Sequence, residues 1–171
     1  MAVLKIIKIG HPLLAQKAKP VEDINQEIVD LATDMVETMY RAPGVGLAAP
    51  QVSRGIRLIT VDLSVGENQD ELFILVNPEI LAEEGKNTAE EGCLSVPGIY
   101  EKVVRPERLV VRGYDLNGRE VTIEASDLLA RAFAHEIDHL EGKLFIDRLS
   151  PLKKSLIKNR LNKEQEKGPK R

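Results

Sequence analysis

The 171 residues are enough for one ordinary domain, and a content of 43% hydrophobic and 30% charged residues lets that domain bury a core while keeping a polar surface. No stretch is long and apolar enough to cross a bilayer, the opening Met1-Ala2-Val3-Leu4-Lys5-Ile6 shows no basic leader before an apolar run, and the lone Cys93 excludes an internal disulfide; a cytoplasmic protein without membrane contact is expected, with the mature form of an organellar protein as the alternative. The net charge of −3 averages two unlike parts: residues 151–171 carry 8 Lys/Arg against 2 Asp/Glu, a balance of +6, and residues 1–150 a balance of −9.

Asn25 can cap a helix in which Ile28, Leu31, Ala32, Met35, Val36 and Met39 recur at three- and four-residue spacing, ending near Tyr40. A glycine-rich segment, Pro43 to Gln51, follows. Ile56 to Val61 and Leu72 to Val76 read as strands, with Ile80-Leu81 as a further extension. Glu90 to Gly98 reads as a second loop-like segment. Ile99 to Val104, Leu109 to Tyr114 and Glu120 to Ile123 read as strands, the last two joined by a hairpin at Asn117-Gly118. Ser126 is expected to cap a second helix, with Leu128, Leu129, Ala132, Phe133, Ile137 and Leu140 as its apolar sides and Gly142 as its stop. Ser150-Pro151 opens a third helix that frays near Gly168-Pro169. The expected class is α+β: curved antiparallel sheets around a central metal-binding helix, with a C-terminal helix. Residues 1–150 would form the catalytic part and residues 151–171 a basic helix of the same domain.

The second helix contains His135-Glu136-Ile137-Asp138-His139. Residues four apart share a helical face, so two imidazoles can grip one divalent ion. A metal lowers the pKa of bound water from about 15.7 toward ~7, and Glu136 can take that proton and pass it to a leaving amine. A catalytic site of this kind usually has three protein ligands. His11, the only other histidine, sits in a Gly-His-Pro turn and is more economically read as a turn residue; Glu141 is too near His139 in sequence. Cys93 is the better third ligand, since a thiolate suits zinc, iron(II) or cobalt(II), although an isolated cysteine is commonly just a small buried residue. Gln51 offers a neutral NH₂ donor for a developing oxyanion, although a Gln after Pro is by itself more often a turn residue.

Gly44-Val45-Gly46-Leu47-Ala48-Ala49-Pro50-Gln51, Glu91-Gly92-Cys93-Leu94-Ser95 and His135-Glu136-Ile137-Asp138-His139 resemble, in order and spacing, the three motifs of peptide deformylases of the bacterial type with a C-terminal helix. The resemblance covers nearly the whole chain; Ala134 departs from it, where many members carry Gln. It implies a metal-dependent hydrolase that removes the N-formyl group from the N-terminal methionine of new polypeptides and releases formate. Cys93, His135 and His139 would bind the metal, iron(II) first and zinc, nickel or cobalt as alternatives. Glu136 would be the general base, Gln51 and the Leu94 backbone N–H the oxyanion donors, and Gly46 a backbone partner of the substrate. Asp138, Glu91 and Arg105 are candidates for an ionic brace, with ordinary surface charge as the other reading.

Residues three, four and seven before His135 are Ala132, Arg131 and Leu128. With Val45 and Leu94 they are expected to line an apolar slot for the methionine side chain, the Arg131 stem lying along the rim while its charge reaches water. The resemblance also implies that the basic tail docks on ribosomal RNA near the nascent-chain exit; a solubilising tail is the alternative. Leu152 and Leu156, with Ile157 and Leu161 as further candidates, would hold the start of that helix to the body. Two other classes share parts of this pattern. A zinc endopeptidase would use the same helix but show no preference for formyl over acetyl substrates, and a non-enzymatic metal or RNA-binding module would have no use for Glu136.

Overall fold

The computed structural model describes residues 2–166. Asn25 caps α1 (Gln26–Arg41) by accepting from Ile28 N. After it come β1 (Gly46–Ala48), β2 (Leu58–Asp62), β3 (Leu72–Glu84), β4 (Asn87–Cys93), β5 (Val96–Arg105), β6 (Arg108–Tyr114) and β7 (Glu120–Ser126). α2 (Asp127–Leu140) and α3 (Pro151–Glu166) close the chain. Five strands form one antiparallel sheet in the order β1-β2-β3-β6-β7, and β4 and β5 form a separate two-stranded ribbon. This is the α+β arrangement expected.

Over β1, β2 and the start of β3 both faces of the sheet are covered, and the side-chain period of two decides what each residue meets. Leu47, Leu58 and Val76 pack with Ile28, Leu31, Met35 and Met39 of α1. Their sequence neighbours Ala48, Ile59 and Leu75 pack with Ala130, Phe133, Ile137 and Leu140 of α2. β2 is consequently buried at every position. A third cluster joins Val96, Ile99 and Val103 of β5 to Phe145 and Ile146 and to Ile157 and Leu161 of α3.

Several boundaries differ from the sequence reading. Glu90 to Gly98 is not a loop: β4 and β5 run through it and turn between Cys93 and Val96. Ile80-Leu81 continues β3 past register shifts around Asn77 and Leu81. Ser126 stands at the N-cap of α2, but its hydroxyl makes no capping bond. At the other end Gly142 stops α2 as expected, in a Schellman turn with Gly142 N donating to His139 O and Lys143 N to Asp138 O. In α3 it is Ile157 and Leu161 that are buried, whereas Leu152 and Leu156 are exposed. The expected fraying near Gly168-Pro169 lies outside the described residues.

The N-terminal segment adds no strand to either sheet but fastens distant parts. Ile7 N donates to Gln51 O, Ile9 N to Ser95 O and Ala18 N to Leu140 O, each at 2.8 Å. At the end of α1, Tyr40 Oη donates to Asp62, which also accepts from Ser64 N, Ser64 Oγ and Gly66 N. Burial alone would raise the Asp62 carboxyl, but these donors outweigh it and hold it below the ordinary carboxylate value. Asp62→Asn should therefore cost about 1–3 kcal/mol at pH 7, since it turns an amide NH₂ toward groups that already donate. A carboxylate with a lowered native pKa stabilises above its unfolded pKa and ceases to as pH falls through the native one. Urea denaturation should show the gap between the two proteins full at pH 7 and narrowing in acid.

Candidate active site

Ala130, Phe133, Ile137 and Leu140 seat α2 on the sheet. Another stripe of the helix, Arg131, His135 and His139, meets the β4 ribbon. His135 and His139 lie with ring centroids 5.0 Å apart. Cys93, the last residue of β4, brings Sγ to 3.4 Å from His139 Nε2. One ligand atom from each of Cys93, His135 and His139 lies within 4.8 Å of the others. One sulfur and two imidazole nitrogens this close fit a divalent ion of intermediate softness such as zinc, iron(II) or cobalt(II).

The surroundings pull the two histidines in opposite directions. Burial opposes a charge on His135, yet Glu136, Cys93 and Glu91 raise its pKa well above the ordinary value. Burial and the neighbouring His135 pull His139 well below, which keeps that imidazole in the neutral form a metal requires. Burial lifts Glu136 to about 7 against the pull of His135. Among the described residues its Oε1 is buried with no hydrogen-bond partner. The other side of this carboxylate touches β1: a Cβ at Gly46 would collide with Glu136 Oε2 and lie 2.9 Å from its Cδ. Gly46 is thus required by close approach rather than by backbone conformation.

Gln51 is 2% exposed and fixed at both ends of its amide. Its Oε1 accepts from Ala48 N at 3.0 Å, and its Nε2 lies 3.1 Å from Ser95 Oγ and 3.6 Å from Cys93 Sγ. Leu94 follows Cys93 at the same cleft, and its carbonyl accepts from Lys8 Nζ at 2.9 Å. Val45, Gly46, Leu94, Leu128, Arg131 and Ala132 all border this cleft, whose volume is about 600 Å³. Ala132 is buried, whereas Leu128 is 57% exposed and belongs to the rim.

Arg131 departs from the sequence reading. Its charge does not reach water: the residue is 5% exposed and its guanidinium binds Glu91 and the carbonyls of Asn87, Ala89 and Val103. Glu91, Arg105 and Asp138 do meet, in a buried ionic network. Glu91 accepts from Arg105 Nε and Nη2, both at 2.9 Å, and faces His135 Nδ1 at 3.0 Å. Arg105 Nη1 reaches Asp138 at 2.6 Å, and Arg148 grips the same carboxylate with two nitrogens. Sequence reasoning missed Arg148, Ser95 and Lys8. Only Ser95 carried a signal, as part of the Glu91 to Ser95 motif.

A family model for polypeptide deformylase matches residues 3–155. A peptide deformylase from Acidobacterium capsulatum is 49% identical over 168 residues, covering 98% of this chain and 99% of its own. One from Syntrophobacter fumaroxidans is 50% identical over 164 residues, 96% of either chain. Among solved structures, a peptide deformylase from Legionella pneumophila superposes with a TM-score of 0.91 at 43% identity, covering 99% of this chain and all of its own. One from Ehrlichia chaffeensis, in complex with actinonin, gives 0.87 at 36% identity over 96% and 98% of the two chains. Sequence and fold agree over almost the full length, and the chain belongs to the polypeptide deformylase family.

Proposed function

We propose the following division of labour for the deformylation that this family performs, the removal of the N-formyl group from nascent peptides. Cys93, His135 and His139 hold one divalent metal, and Glu136 is the general base. The observation that carries this reading is the buried Glu136 carboxylate, with one oxygen unpartnered among the described residues, beside three convergent ligand atoms. A divalent ion held there acts as a Lewis acid that acidifies water and polarises a carbonyl. Glu136, raised toward neutrality by burial, is suited to accept a proton near pH 7 and return it to the leaving amine. Gln51 Nε2 and the Leu94 N–H donate to the oxygen of the formyl carbonyl as negative charge builds on it. The backbone of Gly46, the first residue of β1, pairs with the substrate peptide as an added strand. Ala132, Leu94 and Val45 wall the methionine slot, with Leu128 at its mouth and the Arg131 side chain as a buried, neutralised part of its wall.

Iron(II) is the metal we propose, on the family resemblance and on the thiolate in the donor set; such a site is open to oxidation, so the protein should be isolated without air. We place the protein in the cytoplasm, where formylated chains are made; no helix among the described residues is long and apolar enough to cross a membrane. α3 is proposed to dock on ribosomal RNA near the nascent-chain exit. The body neutralises part of its charge, through Lys153 with Glu101 and Lys154 with Asp147, while Lys158, Arg160 and Lys163 are exposed.

Formate release from N-formyl-Met and N-acetyl-Met peptides tests the activity, with strong preference for formyl expected. Glu136→Ala should retain its metal and lose about 10²–10⁴ in turnover, because the ligands remain and only the proton acceptor is gone. Cys93→Ser should emerge from dialysis largely without metal, since a hydroxyl at neutral pH is a far poorer ligand than a thiolate. A variant with Lys158→Glu, Arg160→Glu and Lys163→Glu together keeps Ile157 and Leu161 in the core. It should cleave small formyl peptides normally yet no longer sediment with ribosomes at low salt, where the wild-type chain does and high salt releases it.

A further inference from the structure

The site is assembled from two bodies that share no β-sheet. His135 and His139 come from α2, which is seated on the five-stranded sheet, and Cys93 comes from the β4–β5 ribbon, which is outside it. The ribbon's own apolar packing is directed elsewhere, through Val96, Ile99 and Val103 toward Phe145 and α3. No ladder of sheet hydrogen bonds therefore sets the distance between Cys93 and the two histidines.

A different match sets it. Arg131, His135 and His139 are spaced four apart on α2, which is about 6 Å per step at 1.5 Å per residue. Ala89, Glu91 and Cys93 are spaced two apart on β4, about 6.6–6.8 Å per step along an extended strand. The two rows run alongside each other rung by rung. His139 Nε2 meets Cys93 Sγ, His135 Nδ1 meets Glu91 Oε1, and Arg131 meets the Asn87 and Ala89 carbonyls. Arg131 also reaches across to Val103 O on β5, at 2.9 Å, and joins Glu91 from the side away from His135. One planar guanidinium thereby holds both strands of the ribbon and the carboxylate between them.

We propose that Arg131 is a positioning residue for the metal site: as the terminal rung between α2 and β4 it fixes the register of the ribbon, and with it the place of the Cys93 sulfur relative to His135 and His139. This rests on the reading that those three residues hold the metal. Lysine cannot replace the arginine fully, because a single ammonium on a flexible stem cannot span three carbonyls and a carboxylate. Methionine fills similar volume and makes none of the four links.

The test uses full-length protein, cobalt(II) as probe, and the variants Arg131→Met, Arg131→Lys and Cys93→Ser. Arg131→Met should bind cobalt(II) roughly 10–100-fold more weakly, the range found when partners that orient metal ligands are lost. Its sulfur-to-cobalt charge-transfer band should weaken, and Arg131→Lys should fall between it and wild type. In metal-free protein, hydrogen exchange in Arg131→Met should speed up at 87–105 while α2 and the five-stranded sheet keep their protection. Unchanged cobalt affinity and band intensity in Arg131→Met would overturn the proposal. So would exchange that rises equally across the whole fold in both Arg131 variants, which would make the arginine a general stabiliser. Cys93→Ser separates the two readings: if it keeps the wild-type band, the assignment of the metal ligands fails, not the role of Arg131.

Discussion

A carboxylate kept ionised inside the protein decides where the other groups of the site go. Glu91 is 7% exposed, and an isolated buried charge costs several kcal/mol. Burial would raise its pKa, but His135 and Arg105 bring it down to about 2, so it stays an anion. Its partners come from separate elements: Arg105 from the end of β5, Arg131 and His135 from α2. Arg105 passes the alternation on to Asp138, and Asp138 to Arg148 just before α3. A line of opposite charges thus runs from the ribbon through the helix that carries the histidines. An apolar replacement could give as much stability, but it would leave the His135 ring without the acceptor that orients it.

The chemistry was more legible in the sequence than the scaffold that aims it. His135 and His139 could be placed on one helical face because the spacing of four has a single geometric meaning on an α-helix, and α1 and the Asn-Gly hairpin were readable for similarly local reasons. β4 was not, although it alternates as a strand should. Its inward residues are Ala89, Glu91 and Cys93, which serve the site instead of an apolar core, so the hydrophobic period that marks a strand is missing. The spacing put Arg131 on the correct face, but whether its charge meets water or acceptors depends on a ribbon folded from residues far away in sequence. α3 was read correctly as a helix, but the choice of its buried edge went wrong for another reason. Leu152 with Leu156 and Ile157 with Leu161 are two equally spaced pairs about 140° apart around the helix, and only the position of Phe145 and Ile146 selects the second.

Catalytic and structural demands meet at single residues throughout the site. Gly46 lets β1 lie against the Glu136 carboxylate, where any side chain would push the acid away. Gln51 spends its carbonyl on Ala48 N, which leaves its amide protons aimed at Ser95 and Cys93. Gly46 and Gln51 thus seat the first of the three motif segments against the other two.

The N-terminal segment ties those motifs together. Ile7 is bonded to Gln51, Ile9 to Ser95, Lys8 to Leu94 and Ala18 to Leu140 at the end of α2. It supplies none of the proposed ligands, base or oxyanion donors, yet its partners reach as far along the chain as Leu140. Contacts of such long sequence separation close late in folding, after much loop entropy has been lost. During synthesis residues 7–18 must therefore wait for residue 140, made much later, before the last of these bonds can form. Until then the ribbon that carries Cys93 can exist without the finished helix that carries His135 and His139, and the cluster of three is not yet assembled.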